Sequence, residues 1–142
     1  MNTNYYEVSV KYDQTQENGL VKKVTEKYLT EAFSFTEAEA KMIDYIKEYA
    51  VGEFDITAIR RQQFYDIFRS QKQEADRWYK ATLAFVTIDE KSGKEKRSPM
   101  AVMVLASDFD DARNTIQEGM KGSLGDWEKA NIGETRIVHF IG

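Results

Sequence analysis

Apolar and polar residues alternate from Tyr6 through Val8 and Val10 to Tyr12, and again from Tyr79 through Ala81 and Leu83 to Phe85. A period of two belongs to a strand with one buried face, so each run predicts a half-buried strand. Each is followed by a pair that tolerates positive φ, Asn18-Gly19 or Ser92-Gly93, and then by a returning stretch, roughly Val21 to Leu29 and Arg97 to Leu105. Two long hairpins with exposed tips result. Pro99 lacks an N–H to donate and belongs at an edge or a bulge. The period then lengthens. Ala38, Met42 and Ile46, with Ile43 or Tyr49, recur every three to four residues and predict a helix that Ser34 or Thr36 caps and Gly52 ends. Ala112, Ile116 and Met120 predict a second helix, capped by Asp108 and ending near Gly119 to Gly122. Third strands are expected at Phe54 to Ile59 and at Glu134 to Ile141.

The two halves resemble each other. Tyr5-Tyr6 matches Trp78-Tyr79 at an offset of 73; from Asn18-Gly19 against Ser92-Gly93 the offset becomes 74 and holds through Ala32, Phe35 and Ala38 against Ala106, Phe109 and Ala112. Such self-similarity signals a duplicated unit. The expected fold is α+β: two tandem ββαβ repeats, approximately 4–60 and 77–141, joined by a partly helical linker at 61–76. A three-stranded unit of this size is close to the lower limit for a core of its own, so the repeats are expected to share one, with helices on one face of a mostly antiparallel sheet.

Composition narrows the chemistry. At 142 residues the chain suits a single domain, and 42% hydrophobic with 31% charged residues argues for a folded protein. With no Cys, thiolate catalysis and every Cys-based metal site are excluded; the single His, His139, leaves one imidazole and no His cluster. The longest apolar run, Met100 to Ala106, is far below the roughly 20 residues of a membrane-spanning helix. No secretion signal opens the chain, so a cytoplasmic protein without membrane contact is expected.

A net charge of -4 argues against unselective wrapping of nucleic acid, yet cations are locally dense. The stretch 60–80 mixes Arg60, Arg61, Arg69, Lys72, Arg77 and Lys80 with Phe64, Tyr65, Phe68, Trp78 and Tyr79. Rings that stack on unpaired bases beside cations that track phosphates are what single-stranded nucleic acid requires. The same residues also suit a short amphipathic helix burying Phe64, Ile67 and Phe68. The second hairpin tip adds Lys91, Lys94, Lys96 and Arg97, and the first offers Lys22, Lys23 and Lys27; such lysines equally serve to keep strand edges from pairing.

Other clusters read as local structure. Asp108, Asp110 and Asp111 open a helix, where acids are favoured without any metal. Gly119, Gly122 and Gly125 lack the Lys-Ser/Thr ending of a phosphate loop, and His139 has no nucleophile at catalytic spacing. No catalytic residue, metal or cofactor is therefore assigned.

The phrases EKYLTEAFSFTEAEA, DRWYKATLAFVTIDEKSGKEKR and EGMKGSLGD span nearly the whole chain. In them the chain resembles a family of small uncharacterised proteins of gut Bacteroidota and their phages or mobile elements. That resemblance implies a soluble intracellular protein and brings no activity with it.

The expectation is a non-enzymatic binding protein for single-stranded nucleic acid or a nucleoprotein. Tyr65, Phe68 and Trp78 would stack, while Arg60, Arg61, Arg69, Lys94, Lys96 and Arg97 would neutralise phosphates. The alternatives are a protein-interaction module, as a homodimer or an antagonist of a host factor, or a protein that sequesters a small ligand.

Overall fold

The computed structural model of the chain describes residues 3–122 and 126–142. In chain order the elements are β1 (Asn4–Thr15), β2 (Val21–Ala32), α1 (Phe35–Ile46), β3 (Phe54–Gln62), β4 (Asp66–Arg69), β5 (Arg77–Ile88), β6 (Glu95–Ala106), α2 (Phe109–Gly119), β7 (Asp126–Glu134) and β8 (Ile137–Ile141). They fall into two compact units. Unit 1 runs to Gln63 and resumes at Arg136–Gly142; unit 2 is Phe64–Thr135.

Unit 1 is a four-stranded sheet in the order β3-β1-β2-β8 with α1 on one face. β1 pairs antiparallel with β2 from Asn4 opposite Ala32 to Thr15 opposite Val21, and Gly19 turns the hairpin at φ 83°. The alternation of β1 puts Tyr6, Val8, Val10 and Tyr12 on the helix side, where they meet Ala38, Met42 and Ile46 of α1. Ser34 caps α1, its hydroxyl accepting from the Glu37 N–H at 3.1 Å. The Glu37 carboxylate accepts in turn from the Phe33 N–H, one residue before the cap, so the side chains of Ser34 and Glu37 each take a backbone donor at the helix start.

Unit 2 has its own sheet, in the order β4-β6-β5-β7, with α2 on one face. β5 and β6 form the second hairpin, Arg77 opposite Ala106 and Ile88 opposite Glu95, with Gly93 at φ 70° in the turn. Tyr79, Ala81 and Leu83 of β5 and Val102 and Val104 of β6 pack with Ala112, Ile116 and Met120. Asp108 caps α2 by accepting from the Asp111 N–H at 2.8 Å, and Asp111 accepts in turn from the Ser107 N–H at 2.9 Å. Pro99 lies opposite Ala84, three residues short of where β4 begins to pair, so no neighbour needs the N–H it lacks.

Three expectations change. The segment expected to be a helical linker contains strand β4, which pairs parallel with β6 from Asp66 opposite Val102 to Arg69 opposite Leu105. The three-to-four spacing of Phe64, Ile67 and Phe68 mimicked a helix, but a sheet edge offers Asp66–Arg69 more backbone partners than an isolated turn would. The third strand of the second half is β7, not Glu134 to Ile141; β8 instead pairs parallel with β2 in unit 1, placing Leu29 opposite Phe140 and Thr30 opposite Ile141. The Thr30 hydroxyl donates to the Ile141 carbonyl at 2.9 Å and helps hold that edge. Finally, the core is not one cluster: the helix-side residues form two, one in each unit. The added fourth strand widens each sheet beyond the three-stranded unit read from the sequence. The coarse class, α+β with two helices among the described residues and mostly antiparallel pairing, stands.

Candidate functional site

Of the residues singled out by sequence, several are occupied by structure. Trp78 is 3% exposed, and its carbonyl accepts from the Thr135 backbone N–H and hydroxyl at 2.8 and 2.9 Å. Phe68 packs against the core of unit 2 with its ring under the last turn of α2. A Cβ built on Gly119 would come within 2.6 Å of that ring. Neither ring offers a face for a base. Arg69 lies over the Trp78 ring at 5.9 Å, a cation–π contact. Arg60 and Arg61 belong to β3 of unit 1; both are exposed, Arg60 opposite Glu7 and Arg61 donating to Asn4 Oδ1 at 2.7 Å. They are therefore not part of a unit 2 surface.

The second hairpin divides its own cations. Lys96 pairs with Thr87 and Arg97 with Val86, so the pleat sends the two side chains to opposite faces. Arg97 goes to the face away from α2, where it meets Glu128 at 3.2 Å and Glu95 at 3.8 Å. Those carboxylates hold its guanidinium charged and occupy it. A pocket of about 430 Å³ on that side, lined by Arg97, Glu95, Asp126, Glu128 and Val86 and reaching Trp127 at the sheet edge, is on balance acidic and unsuited to phosphate. Lys94 is exposed in the turn itself, which Asp89 and Glu90 make less basic than residues 91–97 alone suggest.

The helix-side face is different. α2 covers Tyr79, Ala81 and Leu83, but β5 continues past the helix with Phe85 and Thr87 on the same side. Phe85 pairs with Ser98 on β6 and Trp127 on β7, while Leu83 pairs with Met100 and Lys129. Tyr65, just before β4 and half exposed, meets Phe85 edge to face at 5.6 Å and is anchored by its N–H on the Ala101 carbonyl at 2.7 Å. Three rings, Tyr65, Phe85 and Trp127, thus cross one sheet face with Met100 between them, and Lys96 and Lys129 stand exposed on either side of the row. Asp66, the nearby acid on β4, turns its carboxylate onto the Ile67 N–H at 2.7 Å.

Tyr65 and Lys96 were among the residues expected from sequence; Phe85, Trp127 and Lys129 were not. The missed signal was the length of β5: 12 residues of strand cannot be covered by an 11-residue helix, because a helix rises about 1.5 Å per residue and a strand about 3.4 Å.

The remaining candidates take local roles. Asp108 and Asp111 cap α2, and Asp110 pairs with Arg113 at 3.6 Å. Burial pushes the Asp111 carboxyl up, but hydrogen bonds from Ser107 and Ser70 and the nearby Lys72 outweigh it and hold the group below the usual carboxylate range. Among the described residues no group of three or more His, Asp or Glu side chains is arranged to hold a metal ion. Gly119 ends α2 and Gly122 follows it at φ 80°; Gly125 lies outside the described residues. His139 is exposed and stacks on Tyr45 at 5.6 Å. No helix among the described residues is long and apolar enough to cross a membrane.

Comparison with curated proteins gives no match. The family model described as Domain of unknown function (DUF4494) matches residues 4–141, almost the entire chain, and the protein belongs to that family.

Proposed function

We propose that the chain is a non-enzymatic binding protein, and that unit 2 takes single-stranded nucleic acid, free or within a nucleoprotein, on the row Tyr65, Phe85 and Trp127. The observation that carries this reading is the company those rings keep. Tyr65 is half exposed and Phe85 and Trp127 are partly buried at the margin of the unit 2 core, with Lys96 and Lys129 beside them and the nearest acids of β7, Asp126 and Glu128, turned to the opposite face. Bases stack on aromatic faces with little regard for sequence, and lysines at the margin neutralise the phosphates between them. The proposed site keeps Tyr65 and Lys96, with Lys94 near it in the turn, and gives no role to Phe68, Trp78, Arg60, Arg61 or Arg97.

We propose as well that the two ββαβ segments descend from one duplicated segment. Its supports are the offset that relates Ala32 to Ala106 and Ser34 to Asp108, and two sheets that read alike, β3-β1-β2-β8 and β7-β5-β6-β4. An intracellular setting tied to phages or mobile elements is the accompanying proposal and rests on sequence resemblance alone.

Fluorescence anisotropy with a labelled oligothymidylate tests the function. Tyr65→Ala should weaken binding by about tenfold, the value of one stacked base, and Lys96→Glu by a similar factor, with affinity falling as salt rises. Equal binding by wild type and both variants would contradict the site. A mass that grows with protein concentration, with no oligonucleotide bound, would favour a protein-interaction module instead.

A further inference from the structure

Resting on that reading, we infer that the site has a short, fixed footprint: three stacked bases and two neutralised phosphates. The row runs from one edge of the unit 2 sheet to the other. Tyr65 precedes β4, which is one edge; Phe85 is on β5; Trp127 is on β7, the other edge. Four strands at about 4.8 Å spacing give a platform roughly 14 Å across, and four-stranded sheets that present aromatics in this way stack two or three bases. Among the described residues no further ring continues either end of the row. Along the strands the platform is bounded on one side by α2 over Leu83 and on the other by the charged turn at Asp89 to Lys94.

The cations fit the same count. Lys129 lies one residue pair nearer α2 than Trp127, and Lys96 one pair nearer the turn than Ser98. Each is exposed, and neither side chain is within ion-pair distance of an acid among the described residues. A strand laid across the rings therefore meets one lysine on each flank. Two phosphates neutralised on a single strand give a log–log salt slope of about -1.4.

A length series of oligothymidylates from one to eight nucleotides, titrated against the full chain at several salt concentrations, tests this. Affinity should climb steeply to three nucleotides and then rise only in proportion to the number of three-base registers. Tyr65→Ala should move the plateau to two, and Lys129→Ala should reduce the slope by about 0.7. Affinity that keeps climbing steeply through six or more nucleotides, or a plateau that Tyr65→Ala leaves at three, would overturn the footprint while leaving nucleic-acid binding intact. No binding at any length would overturn the parent reading and the footprint with it.

Discussion

At matching places the two units fill the space between helix and fourth strand in opposite ways. In unit 1 the bulk comes from the helix. Tyr45 of α1 packs against the core and stacks with His139 of β8, and the strand position opposite Thr30 is the smaller Ile141. In unit 2 the residue 74 positions after Tyr45 is Gly119, and the strand position opposite Val104 is Phe68, whose ring occupies the room that the glycine leaves. Volume is conserved while its source moves from helix to strand. Core packing constrains the sum and leaves the division free.

The same comparison along the hairpins separates a closed face from an open one. Position 12 on β1 corresponds to 85 on β5, and 26 on β2 to 100 on β6. Unit 1 has Tyr12 and Glu26 there, joined by a 2.5 Å hydrogen bond from the phenol to the carboxylate, with Gln14 and Tyr28 donating to the same carboxylate at 3.3 Å. Its rings are tied to an acid, and an acid repels phosphate. Unit 2 has Phe85 and Met100, apolar and partly buried, with lysines at the margin. By this contrast the proposed site for an anionic chain of bases lies on the second face.

The largest expected effect breaks the closed face. Glu26→Ala leaves two buried phenols without their acceptor and should cost about 3 kcal/mol in denaturant unfolding, whereas Met100→Ala, only partly buried in unit 2, should cost less than half of that. Next comes alkaline pH. Burial, reinforced by the hydrogen bond and charge of Glu26, pushes the Tyr12 phenol up to about 12, and burial raises the Tyr28 phenol further. Between pH 10 and 12 the unfolded chain has lost protons that the folded one retains, so stability falls as pH rises, by about 2 kcal/mol from Tyr12 alone. Glu26→Gln should bring the Tyr12 transition, followed by ultraviolet absorbance, to lower pH.

Next in size is the effect at the packed pair Gly119 and Phe68. Gly119→Ala gains helix propensity of about 1 kcal/mol but drives a methyl into the Phe68 ring, for a net loss of about 1–2 kcal/mol. Phe68→Leu, which moves this position toward the unit 1 solution, should recover much of that in a double-mutant cycle on thermal unfolding. Additive losses would mean that the two positions do not share one space. Smallest is the effect of Lys96→Glu on stability, within about 0.5 kcal/mol, so its loss of binding reads as electrostatics and not as unfolding.

Both hairpins, both helices and their caps were legible in the sequence because each is written locally: alternation in β1 and β5, Gly19 and Gly93 in the turns, Ser34 and Asp108 before the helices. The fourth strands were not. β4 has four residues and β8 five, and each finds its partner far away in the chain, so no local period could announce a parallel pairing. The site followed the same division. Tyr65 and Lys96 stood out by composition, but the burial of Trp78 and Phe68 and the opposite facing of Lys96 and Arg97 depend on register. Phe85 read only as part of the alternating face of β5, Trp127 stood in no reading, and both are partly buried against the unit 2 core.

Amide chemical-shift mapping with a trithymidylate distinguishes the hairpin face of unit 2, proposed to bind a single strand, from its counterpart in unit 1. Perturbations should concentrate at Tyr65, Phe85, Lys96 to Ser98 and Trp127 to Lys129, with Tyr12, Glu26 and Tyr28 unmoved. Shifts centred on Tyr12 and Glu26, or none in either unit at millimolar ligand, would contradict the proposed site.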